Sequence, residues 1–252
     1  MKKTSVLILL VLSMATALFA QDKVDKNSKY FSLCGSLAYG LGMGGQYIGS
    51  SMTHYGAAIQ ERSDKYLNYG DGFKVELVGL YRLMENLDAQ GMLMYNFGTP
   101  KIEAIDQNVL NGATVTNIYK TGTFGLKILA IPKLKVFDLL DMYVGFGMGL
   151  YFASLSWSNS ETSQFDGYYK TSPAFGLCGS IGINYPIYND LIVYGEIAIE
   201  QMSFTVTSIL SAEDGSLKTF EQDSKATSGV YPPEKIPGSN VAFRVGAKFP
   251  IF

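Results

Sequence analysis

The 252 residues carry 20 basic and 22 acidic side chains, one histidine and two cysteines, with 27 glycines, 17 tyrosines and 15 phenylalanines. A net charge of −2 excludes the basic balance of a nucleic-acid binder, and so few histidines and cysteines leave no cluster of metal-ligand spacing. Many aromatics and glycines beside a single long apolar run argue against a bundle of membrane helices and for a membrane β-barrel.

Residues 1–20 read as a secretory signal peptide. Lys2 and Lys3 precede an apolar core at 6–12, and cleavage falls after Ala20 or within Ala15-Thr16-Ala17. No cysteine follows the core, which argues against a lipid-modified terminus. Cleavage removes two lysines and no acid, so residues 21–252 hold 18 bases and 22 acids, a net charge of −4 in one domain.

Eight stretches of period-two alternation follow, at 30–43, 72–84, 88–98, 119–131, 142–157, 171–185, 191–206 and 240–252. The second is the clearest: Phe73, Val75, Leu77, Gly79, Tyr81 and Leu83 share one face, and Lys74, Glu76, Val78, Leu80 and Arg82 the other. Short links at 85–87, 132–141 and 186–190 take turns with long polar ones at 45–70, 99–118, 158–170 and 207–239. Outer-membrane barrels have short periplasmic turns and long outer loops. The pattern therefore predicts an all-β, eight-stranded antiparallel transmembrane β-barrel with long extracellular loops. Asn111-Gly112 is a hairpin signal, so the third and fourth strands are expected to continue above the membrane as a ribbon. Ten strands, using a hairpin within 207–239, is the alternative count, disfavoured by Pro232, Pro233 and Pro237.

A soluble barrel turns its apolar face inward and a membrane barrel turns it outward. Here the non-apolar faces are small or polar, as in Ser32, Cys34, Ser36 and Ala38 or Gly145, Gly147 and Gly149, and would make a poor dry core. A central Lys or Arg on the lipid face costs about 2–4 kcal/mol, so Lys74, Arg82, Lys127, Arg244 and Lys248 should point in. The three glycines leave space for long side chains on the opposite wall, leave a void that admits a small molecule, or mark barrel curvature, the last being preferred.

Several short motifs resemble those of the small bacterial outer-membrane β-barrel superfamily, the OmpA/OmpX-like and OmpW-like barrels. Tyr81-Arg82-Leu83-Met84-Glu85-Asn86-Leu87 resembles its Tyr-Arg strand end meeting an Asn-containing turn. Residues 143–149, Tyr-Val-Gly-Phe-Gly-Met-Gly, resemble its glycine-alternating strand. The terminal stretch 241–252 resembles the last-strand signal read by the barrel assembly machinery. Its alternating set Val241, Phe243, Val245, Ala247 and Phe249 ends three residues early, so the assembly signal is either Phe249 or, displaced beyond Pro250, Phe252. The resemblance implies an outer-membrane location.

The candidate site is the inward charge set: Lys74, Glu76, Arg82, Lys127, Glu196, Glu200, Arg244 and Lys248. One antiparallel register sets Glu196 opposite Lys248 and Glu200 opposite Arg244, with Lys74, Glu76 and Arg82 joining across the lumen. Such a set is either a plug, because buried charges need partners, or a gate on an ion path. Cys34 and Cys178 point inward from nearly opposite walls, beyond the roughly 7 Å between Cα atoms that a disulfide allows, so free thiols are expected. Tyr69, Tyr143, Tyr168, Tyr185 and Tyr188 near strand ends read as the interfacial girdle, leaving Tyr47, Tyr55 and Tyr231 for partner recognition.

The leading expectation is a structural or surface-interaction protein with a charge-plugged lumen, without enzymatic activity or cofactor. It would be a monomer contacting outer-membrane lipid, the barrel assembly machinery and an extracellular ligand met by loops 45–70 and 207–239. A narrow OmpW-like channel for small or hydrophobic solutes is the alternative. A third reading, a lipid-modifying enzyme, would rest on His54 with Ser50, Ser51, Glu61 and Asp64 nearby, but no catalytic motif surrounds it.

Overall fold

The computed structural model describes residues 31–55, 58–98, 102–106, 115–137, 140–159, 167–188, 191–213, 216–221 and 235–251. The signal segment, Asn111-Gly112, Tyr231 and Phe252 lie outside the described residues. The strands are β1 (Phe31–Gly42), β2 (Gln46–Tyr55), β3 (Ala58–Leu67), β4 (Gly72–Met84), β5 (Leu87–Asn96), β6 (Ile102–Asp106), β7 (Val115–Phe137) and β8 (Leu140–Asn159). They continue with β9 (Gly167–Thr171), β10 (Ala174–Tyr188), β11 (Leu191–Gln201), β12 (Ser203–Glu213), β13 (Ser216–Glu221), β14 (Lys235–Pro237) and β15 (Asn240–Pro250).

Eight of them close on themselves. Going round the wall, β1 pairs with β4, then β5, β7, β8, β10, β11 and β15, and β15 pairs back with β1, every pairing antiparallel. Leu33, Leu37, Leu77, Leu93, Phe146, Ile181, Ile197 and Phe243 face out and are exposed, whereas Ser36, Lys74, Glu76, Lys127, Glu196, Glu200 and Arg244 face in and are buried. Apolar outside and charged inside is the arrangement of a barrel whose solvent is lipid. Closure also leaves no unpaired wall edge, which a bilayer would not tolerate.

The predicted ribbon is present: β6 pairs with the start of β7, from Ile102 opposite Tyr119 to Asp106 opposite Val115. Three predicted boundaries need correction. The link expected at 132–141 is mostly strand, since β7 runs to Phe137 and β8 begins at Leu140. Pro132 is tolerated there because its partner Leu87 is the first residue of β5. The Lys133 N–H donates to the Asn86 carbonyl at 2.8 Å, so the Pro132 nitrogen faces β8, where the pairing passes from Ala130 to Lys133 and asks no ladder bond of it. The stretch 191–206 divides at Met202, where β12 leaves the wall to pair with β9 and β14. Likewise 171–185 is the end of β9 and a separate β10. Strands β12 and β13 lie outside the eight-stranded closure, in the sheet that continues β8 and β9.

At the end of the wall, Leu33 pairs with Phe249 and Ser32 with Pro250, and the Ile251 N–H donates to the Phe31 carbonyl at 2.9 Å. Pro250 therefore does not end the pairing, and Phe249 and Ile251 both continue the exposed outward set.

An outward charge at mid-wall should be expensive. Ile128, 71% exposed near the middle of β7's apolar face, replaced by Arg should lower the unfolding free energy by about 2–4 kcal/mol. Equilibrium denaturation in lipid vesicles measures this.

Candidate functional site

Alternation turns one residue in two inward, and eight strands enclose a space only wide enough for side chains. Into the middle of it β4 sends Lys74 and Glu76, β7 sends Lys127, β11 sends Glu196 and Glu200, and β15 sends Arg244. All six are buried. The Lys74 Nζ donates to Glu200 Oε2 at 2.9 Å and to Asn240 Oδ1 at 2.7 Å. Lys127 bridges Glu200 and Glu76, the latter at 3.5 Å. Arg244 pairs with both Glu76, its Nη2 donating to Oε1 at 2.8 Å, and Glu196. Neutral donors complete the carboxylates: Ser36 Oγ to Glu76 at 2.7 Å, Tyr143 Oη to Glu196 at 2.9 Å and Asn240 Nδ2 to Glu200 at 3.2 Å. Three cations and three carboxylates sum to zero in a single layer. Toward the periplasmic end, the space between Cys34, Val78, Tyr143, Tyr194 and Lys248 amounts to about 10 Å³, room for about one water.

The outer mouth is covered by the chain itself. The turn between β3 and β4 folds over it, held by Asn96, whose Nδ2 donates to the carbonyls of Tyr69 at 2.9 Å and Asp71 at 3.0 Å. Thr123 Oγ1 adds a bond to the Tyr69 carbonyl at 3.2 Å, and Asn68 Nδ2 reaches the Gly44 and Ser239 carbonyls at 2.7 and 3.1 Å. The Tyr69 ring stands edge-on to Phe204 at 5.0 Å, in an apolar cluster with Leu67, Leu155, Met202 and Ile236.

No family model matches the chain, and no curated protein does. Among solved structures, a major outer membrane protein from Thermus thermophilus superposes with a TM-score of 0.53 at 14% identity, over 87% of this chain and 98% of that one. The outer membrane protein OprG from Pseudomonas aeruginosa gives 0.53 at 10% identity, over 89% and 97%. Neisserial surface protein A gives 0.44 at 11% identity, over 88% and 97%. The chain has the fold of the small outer-membrane β-barrels. With its apolar exterior and closed wall it is an outer-membrane protein.

Within this outer-membrane barrel, the predicted charge set divides. Six members form the layer, but in a register shifted by four residues from the expected one. Glu196 lies opposite Arg244, Glu200 opposite Asn240, and Lys248 opposite Ile192. A four-residue shift preserves the face of every side chain, so alternation cannot detect it. Lys248 instead donates to Asn184 Oδ1 at 2.6 Å and lies 4.8 and 4.9 Å from the ring centres of Tyr143 and Tyr194. Arg82 shares the inward phase but sits opposite Asp88 at the end of β4, outside the layer. Asp88 pairs with Lys133 at 2.9 Å.

Other expectations are settled residue by residue. Cys34 and Cys178 are buried free thiols. Tyr168 and Tyr185 face outward as girdle residues, whereas Tyr69 and Tyr143 are 1% and 2% exposed and belong to the cap and the lumen. The glycines of β8 make room for near neighbours rather than for the opposite wall: Gly145 for the Ser180 and Ile131 side chains, Gly149 for the Tyr151 ring, and Gly147 for the backbone of the adjacent strand. A Cβ on Gly147 would lie 2.0 Å from the Ile128 carbonyl oxygen of β7. His54 lies on β2, in the hairpin with β3 and apart from the barrel wall. Asn240, Tyr143 and Ser36 were missed as partners because neutral inward residues carry no charge signal in the sequence.

Arg244→Gln would leave Glu76 and Glu196 buried without their shared cation. The unfolding free energy should fall by about 3–5 kcal/mol. Lys248→Gln, which loses one hydrogen bond and two ring contacts, should cost only about 1–2 kcal/mol. Paired denaturation curves in the same vesicles check the contrast.

Proposed function

We propose that this outer-membrane barrel is a closed-lumen, non-catalytic structural or surface-interaction protein. On this reading the wall is an anchor stapled by its internal charges, and the extracellular strands meet the outside. The supporting observation is the six-membered neutral layer across the lumen. Every ionised group in it has an opposite charge within reach, so none is left to attract an ion, and the side chains occupy the space a solute would need. The capped mouth acts in the same direction.

Under the same reading the chain works as a monomer in outer-membrane lipid, with Phe249 as the aromatic met by the barrel assembly machinery. The ligand-facing regions are 45–70 and 207–239, whose described strands β2, β3, β12, β13 and β14 pair outside the eight-stranded closure. The competing reading, a narrow channel for small or hydrophobic solutes, requires the layer to part.

Single-channel recording of the refolded mature chain in a planar bilayer separates the two, after a heat-dependent gel shift confirms folding. The closed barrel should stay silent across voltage. Glu200→Gln, which strips Lys74 and Lys127 of their common counter-charge, should lower stability without opening a path. Steady discrete openings in the unsubstituted protein, or new ones in this variant, would establish the channel instead.

A further inference from the structure

The chain has two cysteines, Cys34 and Cys178, and both are free thiols buried in the lumen. Cys34, on β1, lies opposite Val78 of β4 and Lys248 of β15. Cys178, on β10, lies opposite Gly147 of β8 and Glu200 of β11, with its Sγ 3.0 Å from the Tyr151 hydroxyl. They are 1% and 8% exposed. Neither belongs to the six-membered charge layer, and the closed-lumen reading makes no use of either.

Closure fixes how far apart they stand. The shorter way round the wall runs from β1 through β15 and β11 to β10, three strand spacings, or roughly 14 Å. A disulfide requires Cα atoms within about 7 Å. The two intervening strands also fill the lumen, with Arg244, Tyr194 and Glu196 all buried. Bringing the sulfurs together would pull β1 or β10 out of its ladders. That opens a wall edge, which a bilayer does not tolerate, and it parts the cations of the layer from their carboxylates.

The open chain has no such restraint. An outer-membrane protein crosses the periplasm before its wall is made, and that compartment favours disulfides. Lengthening a loop adds little to the entropic cost of closing it, so positions 34 and 178 can meet while the chain is open. The two thiols are thus joinable only before folding, and the finished fold has no place for the product.

We propose that this pair makes barrel closure sensitive to redox state: the dithiol chain closes, and the disulfide chain cannot. The chemistry is thiol–disulfide exchange with a disulfide-bearing oxidant. One cysteine thiolate attacks the oxidant's S–S bond, forming a mixed disulfide and releasing one thiol of the oxidant. The second cysteine then displaces the other, so the protein loses two electrons and two protons and the oxidant leaves as two thiols. Closure stops this reaction in turn, because exchange needs access that the buried sulfurs lack. Each process excludes the other, and their order decides whether the barrel forms. The proposal does not depend on whether the lumen conducts.

The test starts from the mature chain in urea, oxidised by glutathione disulfide at low protein concentration. The intramolecular disulfide form, about 2 Da lighter than the dithiol, is isolated and diluted into lipid vesicles. The dithiol chain should show the heat-dependent gel shift of a folded barrel. The disulfide chain should lose it, and dithiothreitol added to the vesicles should restore it. Cys34→Ala/Cys178→Ala, carried through the same oxidation, should fold with or without dithiothreitol. The rescue is read in the unsubstituted chain, so it stands even if the double variant folds poorly. Glutathione disulfide added to the folded barrel should leave both thiols unlinked until urea opens the wall. A gel shift in the disulfide chain equal to that of the dithiol chain, or a loss that dithiothreitol does not reverse, would overturn the proposal. So would a disulfide formed within the folded barrel, or an open chain that forms none under glutathione disulfide.

Discussion

Three positive and three negative side chains share one enclosed layer, and the rest of the barrel is arranged so that they can. Lipid penalises each of them on the outer face, and the interior penalises each of them alone. The six come from β4, β7, β11 and β15, which are not all neighbours round the wall. Glu200 of β11 is held by Lys74 of β4 and Lys127 of β7, and Glu76 of β4 by Arg244 of β15. No ladder of backbone hydrogen bonds connects these strands directly, apart from β11 with β15. The network therefore forms only when the wall is closed and every strand is in phase. Its contribution lies less in net stability than in selecting one arrangement, because a slip of one residue on any contributing strand would strand a charge in lipid.

That constraint explains what the sequence disclosed and what it withheld. The face of Lys74, Glu76, Lys127, Glu196, Glu200 and Arg244 was legible, since period-two alternation places them all opposite Leu, Ile, Val and Phe. Their partners were not. Strands β11 and β15 are joined through the long segment 202–239, so no tight turn pins their register, and pairings that differ by four residues look the same in sequence. The choice between them is made in three dimensions. Asn240 completes Glu200, and Asn184 with two tyrosine rings receives Lys248, none of which announces itself as an ion-pair partner. Boundaries failed where a residue's usual reading was overruled by its neighbours. The stretch 132–141 reads as a link until Lys133, Leu134 and Lys135 are seen paired with Tyr143, Met142 and Asp141 of β8.

Tyr69 shows a second limit. A tyrosine just before a barrel strand reads as an interfacial anchor with its hydroxyl at the lipid boundary. Its placement over the mouth depends on Asn96, Thr123 and Asn68, which come from β5, β7 and the turn itself. Each is an ordinary polar residue, Asn96 at the end of its strand, Thr123 within a long one and Asn68 in the turn. Only together do they bind enough backbone carbonyls to hold the turn inward, where the ring can meet Phe204.

Strand β8 shows how one alternation serves three surroundings. Tyr143 and Tyr151 point into the lumen, Phe146 and Phe152 into lipid, and beyond them Leu155 meets the cap while Ser154 and Ser156 face outward above the belt. The phase never changes along the strand, so the changes in chemistry must be written residue by residue on a fixed backbone. Gly147 marks the place where this becomes tightest. Any side chain there would strike the backbone of β7, and the bare position lets two long strands lie close enough to continue as a pair from the lower turn, through the charge layer, to the extracellular sheet. The lumen and the outer face are thus built on the same two strands, and a change in how β7 and β8 approach each other would be felt at both.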